Sequence, residues 1–123
     1  MSQDTVADIL NEIMNAKKAG KKSLVVKKHS KLLRNVLDIA KKDGYISYSV
    51  DGNELKIEIK KLNEFKAIKP RFTVSVDNIN RYVRRFLPAR NFGYIIISTN
   101  QGLMNHKEAE EKSIGGCLIA YIF

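Results

Sequence analysis

The stretch FGYIIISTNQGLMNH, Phe92–His106, changes character halfway along. Residues Gly93–Ser98 read as an apolar strand built on Ile95, Ile96 and Ile97. Four hydrogen-bonding side chains follow, Ser98, Thr99, Asn100 and Gln101, closed by Gly102, before apolar Leu103 and Met104. Asn and Gly are turn residues, so one reading is a plain turn. The other is a set of polar groups held ready on a stiff strand. Hydroxyls and amides both donate and accept, which suits base edges and ribose 2′-hydroxyls. On an anchored strand they would lose little entropy on binding. At the level of residue types both readings stay open.

Working outward, the hydrophobic spacing divides the chain in two. Val6, Ile9, Leu10 and Ile13 predict a helix over 4–18 that stops at Gly20. Ser23–Lys27 reads as a short strand. A second helix is capped by Ser30, carries Leu32, Leu33, Val36, Leu37 and Ala40 on its inner face, and ends at Gly44. Tyr45–Val50 and Glu54–Lys60 alternate as a hairpin with an Asp51-Gly52 turn. Beyond residue 63 the order changes. Ala67–Val74 is strand-like but interrupted by Pro70, which marks an edge or a bend. Ile79, Tyr82, Val83 and Phe86 space as a short helix that finishes before Pro88. Asn105-x-x-Glu108 resembles a capping box opening a helix to about Lys112. Gly115-Gly116 reads as a turn before a final strand, Cys117–Phe123. The expected fold is α+β in two lobes. Residues 1–63 form an α-β-α-β-β lobe, and 64–123 a mainly antiparallel β lobe with short helices.

The chain has 123 residues and a formal charge of +9, from 22 Lys and Arg against 13 Asp and Glu. So large an excess points to a polyanionic partner. Lys17, Lys18, Lys21, Lys22, Lys27, Lys28, Lys31 and Arg34 occur with no acid between them, and a helix start at Ser30 adds backbone donors suited to phosphate. Two further basic series run from Lys56 to Arg71 and from Arg81 to Arg90. A membrane is the poorer candidate, because no apolar run approaches the roughly 20 residues needed to span one. A single cysteine, Cys117, excludes an internal disulfide and a Cys-rich metal site, and makes a reducing cytoplasmic setting the default.

No cofactor is implied. The chain holds no nucleophile elbow, Walker loop, dinucleotide fingerprint or HExxH motif. His29 and His106 lie far apart, each beside a helix start, where a local hydrogen-bonding or surface role is expected. Cys117 leads an apolar strand as a small core or edge residue. The residues give no support to an enzyme.

Gly93, Ile96, Ile97, Ser98, Thr99, Gly102, Leu103, Met104 and Ala109 fall in one signature. With Gly20-Lys21, Ser30-Lys31-Leu32, Asp43-Gly44-Tyr45-Ile46, Ile68-Lys69-Pro70-Arg71-Phe72, Leu87-Pro88-Ala89-Arg90 and Gly115-Gly116, the chain resembles ribosomal protein eight of the small subunit, in its archaeal and eukaryal form. The resemblance runs nearly end to end. It implies a primary rRNA-binding protein that holds an irregular helix of the central domain and helps assemble the platform, beside neighbouring small-subunit proteins. A second reading is a repressor that binds its own messenger RNA with the same surface. By resemblance, Ser98, Thr99, Asn100 and Gly102 make the specific contact, while Ser30 and Lys31 touch backbone. Lys27 and Lys28 join the latter on charge. Thr5, Asn100, Glu110 and Cys117 depart from the family pattern, Asn100 from a usual Ser or Thr and Cys117 from a usual charged residue.

Overall fold

A computed structural model describes residues 5–27, 31–68, 73–89 and 92–123. Two compact units divide the chain, Met1–Phe65 and Lys66–Phe123. Helices and antiparallel strands build an α+β protein, as the hydrophobic spacing predicts.

In the first unit, α1 (Thr5–Lys18) buries Val6, Ile9, Leu10 and Ile13, the i, i+3, i+4, i+7 stripe read from the sequence. It closes at Gly20 through bonds from the Gly20 and Lys21 N–H groups to Lys17 and Ala16 carbonyls. Then come β1 (Ser23–Val26), α2 (Lys31–Lys42), β2 (Ile46–Asp51) and β3 (Glu54–Ile59). The antiparallel sheet runs β1-β3-β2. One face is apolar: Val26, Leu55, Ile57 and Ile46 are buried together with Leu33, Val36, Leu37 and Ala40 of α2. Leu32, expected on that inner face, is only half-buried. The Tyr48 hydroxyl donates to the Asp38 carboxylate, tying β2 to α2. Asp51 pairs with Glu54, so the hairpin loop is Gly52-Asn53, one residue later than expected. Gly52 takes φ +60°, which suits glycine at the first loop position.

The second sheet runs β4-β8-β6-β7, with β5 also on β8. Its strands are β4 (Phe65–Ala67), β5 (Thr73–Val74), β6 (Tyr94–Thr99), β7 (Gly102–Asn105) and β8 (Gly116–Ile122). The described ends of the Ala67–Val74 stretch, in β4 and β5, both pair with β8, while Pro70 lies outside the described residues. A 3-10 turn (Val76–Asn78) leads into α3 (Ile79–Phe86), and α4 (His106–Glu111) follows β7. Ile79 and Val83 of α3 and Ala109 of α4 pack with Ile95, Ile97, Met104 and Leu118 in one core. Ile96 points to the opposite face of β6 and is equally inaccessible. A strand buried on both faces needs no alternation, hence three isoleucines in a row.

Two features differ from the sequence reading. Leu103 and Met104 belong to a strand, β7, that four residues are too few to announce. Gly115-Gly116 is not a turn. The reversal is made by Lys112-Ser113, with Ser113 at φ 54°. The glycines serve clearance: a Cβ on Gly115 would stand 2.3 Å from the Val74 carbonyl oxygen, and one on Gly116 2.3 Å from that of Ser98. Backbone atoms cannot yield as a side-chain tip can. Gly116→Ala should therefore destabilise the fold by about 1–3 kcal/mol or more, the usual cost of overpacking. Urea denaturation checks this, with Gly115→Ala expected to behave alike.

Candidate nucleic-acid interface

The polar stretch forms the tip of a β-hairpin. Ser98 and Thr99 are the last residues of β6, Gly102 opens β7, and Thr99 pairs with Gly102. The loop itself is only Asn100-Gln101, both exposed. The expected Ser98–Gly102 loop thus narrows to two residues on a ladder. Asn100, expected as a contact residue, shares the apex with Gln101 of the same polar run, so the two belong together. Gly102 takes φ +111° with open space around it, so backbone conformation rather than crowding calls for glycine.

The tip is closed from within. The Thr99 hydroxyl donates to the Gly102 carbonyl at 2.8 Å and accepts from the Gln101 N–H at 3.1 Å. Its proton is committed to the turn, leaving it one lone pair for a ligand. Thr99 therefore holds the shape that Asn100 and Gln101 present. Ser98 differs. It is half-buried, and its hydroxyl has no hydrogen-bond partner among the described residues. It pairs with Leu103 on one side and Cys117 on the other, and Cys117 pairs with Thr73. Directly paired residues share a face. Thr73, Cys117 and Ser98 thus form a row of small polar groups leading across the sheet to the hairpin. Sequence spacing holds no hint of that row, because it is assembled from three strands.

The base of the hairpin is fixed by the start of α4. The Asn105 side chain accepts from the Glu108 N–H at 2.8 Å, the cap expected from the spacing, and its amide, in place of the backbone N–H of a capping box, donates to the Glu108 carboxylate at 3.4 Å. His106 is buried, not superficial. It stands opposite Ile95, one step past the Ile96↔Asn105 pair, and its Nδ1 accepts the Ile95 N–H at 3.1 Å. An imidazole nitrogen thus takes the place of a ladder carbonyl where the chain leaves the sheet. Tyr94 lies against the ring, with centroids 5.9 Å apart. Burial, reinforced by the Lys107 charge, lowers the His106 pKa from 6.5 to about 4.

On the first unit, Lys27 follows β1 and Lys31 begins α2, both exposed. Lys28 and Ser30 lie outside the described residues, as does His29. Arg81, Arg84 and Arg85 are exposed along α3. Cys117 is a half-buried strand residue. Among the described residues, no group of three or more His, Cys, Asp or Glu could hold a metal, and no helix is long and apolar enough to cross a membrane.

A basic α+β chain whose polar groups are gathered on a braced hairpin, with no assembled catalytic set among the described residues, has the build of a structural nucleic-acid-binding protein. Comparison with known proteins makes this specific. The family model for ribosomal protein S8 matches residues 4–123. The small ribosomal subunit protein uS8 of Nanoarchaeum equitans (strain Kin4-M) is 40% identical, with the whole of both chains covered. The chain belongs to the ribosomal protein S8 family. It is a structural, non-enzymatic and rRNA-binding constituent of the small ribosomal subunit, and so cytoplasmic.

The histidine latch has a pH signature. Between the folded value of about 4 and the ordinary 6.5, the unfolded chain binds a proton that the folded one does not, so stability rises with pH across that window. Acidification from pH 6.5 to 4 should remove up to about 3 kcal/mol through this residue, at 1.36 kcal/mol per pKa unit. Urea denaturation at pH 7.5 and 4.5 should show a larger difference for the native chain than for His106→Gln, which cannot titrate.

Proposed function

We propose that the chain binds an irregular helix in the central domain of small-subunit rRNA as a primary contact and so helps assemble the platform, with labour divided between its units. The hairpin tip reads the distorted core of the helix through Ser98, Asn100 and Gly102, with Thr99 positioning them. The first unit holds phosphates through Lys27, Lys28, Ser30 and Lys31. The observation that carries this reading is the hairpin's state of preparation: an exposed Asn100-Gln101 apex, closed by the Thr99 hydroxyl, on a strand whose isoleucines are fully buried. Groups fixed before binding cost little to order, so their hydrogen bonds go into affinity and discrimination. Basic side chains add a contribution that is blind to sequence.

Binding of the purified chain to that RNA helix across a salt series tests the division. Ser98→Ala with Thr99→Ala should cost about 1–3 kcal/mol, the magnitude of a good base contact, with the salt slope unchanged. Thr99→Ser should restore most of the loss owed to that position, since the turn bonds need only a hydroxyl. Replacing Lys27, Lys28 and Lys31 by Ala should flatten the slope by up to about 0.9 for each phosphate no longer neutralised. A hairpin variant that binds like the native chain would sink the reading. Crosslinking in cells with sequencing of the attached RNA addresses the repressor alternative. Reads confined to the chain's own message would replace the ribosomal assignment of this surface.

A further inference from the structure

The first sheet has an edge that nothing described in the chain covers. The Ile59 N–H donates to the Lys22 carbonyl at 2.8 Å, continuing the Ser23↔Glu58 register by one residue. Bonded and non-bonded pairs alternate in an antiparallel ladder. Lys22, Leu24 and Val26 therefore turn their backbone groups towards β3, while Ser23 and Val25 turn theirs away from it. The order β1-β3-β2 places no strand on that side, and no hydrogen bond reaches those groups from any described residue. A groove of about 410 Å³ lies there, walled by Asn15 and Ala16 of α1 and by Ala19 just beyond it, and bordered by Ser23 and Val25 of β1. Val25 is 53% exposed, the most open large apolar side chain among the described residues.

We propose that this edge docks an extended acidic segment of a neighbouring protein, which adds to the sheet as a fourth strand. Two N–H donors alternate with two carbonyl acceptors along one line, the pattern that a peptide backbone answers group for group. A phosphodiester backbone supplies acceptors only and would leave the Ser23 and Val25 carbonyls unmatched. The small Ala16 and Ala19 side chains leave room for a main chain, and Val25 offers an apolar contact. Charge selects the occupant. Lys17, Lys18, Lys21 and Lys22 are exposed in the segment that leads into the strand, against one acid, Glu12, in the groove lining. Such a fringe repels a second copy of a +9 chain and attracts an acidic strand. The proposal is independent of the hairpin's reading of RNA.

A photoreactive benzoylphenylalanine at position 23 of the full chain, assembled into small subunits in cells, reports the occupant by mass spectrometry of the crosslinked peptide. The expected product joins position 23 to one acid-containing peptide of another small-subunit protein. Val25→Pro removes an N–H that faces away from β3, so it should leave the sheet and RNA binding by the isolated chain intact. It should lower the crosslink yield at least tenfold, while Val25→Thr keeps it. The reciprocal pair, Ser23→Pro with the probe at position 25, must show the same loss. Crosslinks to RNA alone, to a second copy or to nothing, or a yield indifferent to proline, would overturn the proposal.

Discussion

The second unit depends on one strand passing closely between two others. β8 enters the sheet with β5 on one side and β6 on the other, and its first residues meet a carbonyl oxygen on each side. Gly115 clears the oxygen of Val74, and Gly116 clears that of Ser98. No other residue type gives that clearance, because the obstacle on both sides is main chain. Once β8 is seated, Leu118 joins the core beneath α3 and α4, and Cys117 comes beside Ser98. The hairpin's position is therefore set from behind, by main-chain packing in which its polar side chains take no part.

Three locks of different kinds then brace the hairpin along its length. Close strand packing fixes its middle at Ser98. A hydroxyl fixes its tip at Thr99, and a cap with a buried imidazole fixes its base at Asn105 and His106. At the buried base the His106 ring satisfies the Ile95 N–H, which left unpaired would cost about 1–3 kcal/mol. The exposed bonds of Thr99 replace bonds to water and limit the tip's freedom. Stability and pre-organisation here are one set of interactions seen from two sides.

The architecture was legible because it rests on periodicity. The stripe Val6–Ile13, the alternation through β3, and the Asn105–Glu108 spacing each encode a local geometry that tertiary packing preserves. What escaped was non-local. β7 is a four-residue strand with no pattern of its own, defined by its partner β6. Glycine pairs signal turns far more often than close passage, and only the Val74 and Ser98 carbonyls reveal which applies at Gly115-Gly116. At the site, the polar run announced a turn at the end of a strand, but neither the hairpin's second strand nor its internal bonding. Nothing in the letters Ser-Thr-Asn-Gln says that Thr99 faces inward to the turn while Ser98 stays unengaged. For His106 a hydrogen-bonding or surface role was legible, but not its burial or its partner, which the register opposite Ile95 sets.

The Asn100-Gln101 apex carries a further consequence for how this protein could diverge. Residues that frame the hairpin are tied to the fold: Gly116 by clearance, Thr99 by its two bonds, His106 by burial. The apex side chains are exposed and bear none of these duties. Mutations there would be nearly free of folding penalty, as surface substitutions away from such features usually are. The hairpin thus separates a frame that the fold holds fixed from a two-residue apex that the fold leaves open to change. A protein built this way can vary its apex by single steps, each taken by a folded chain.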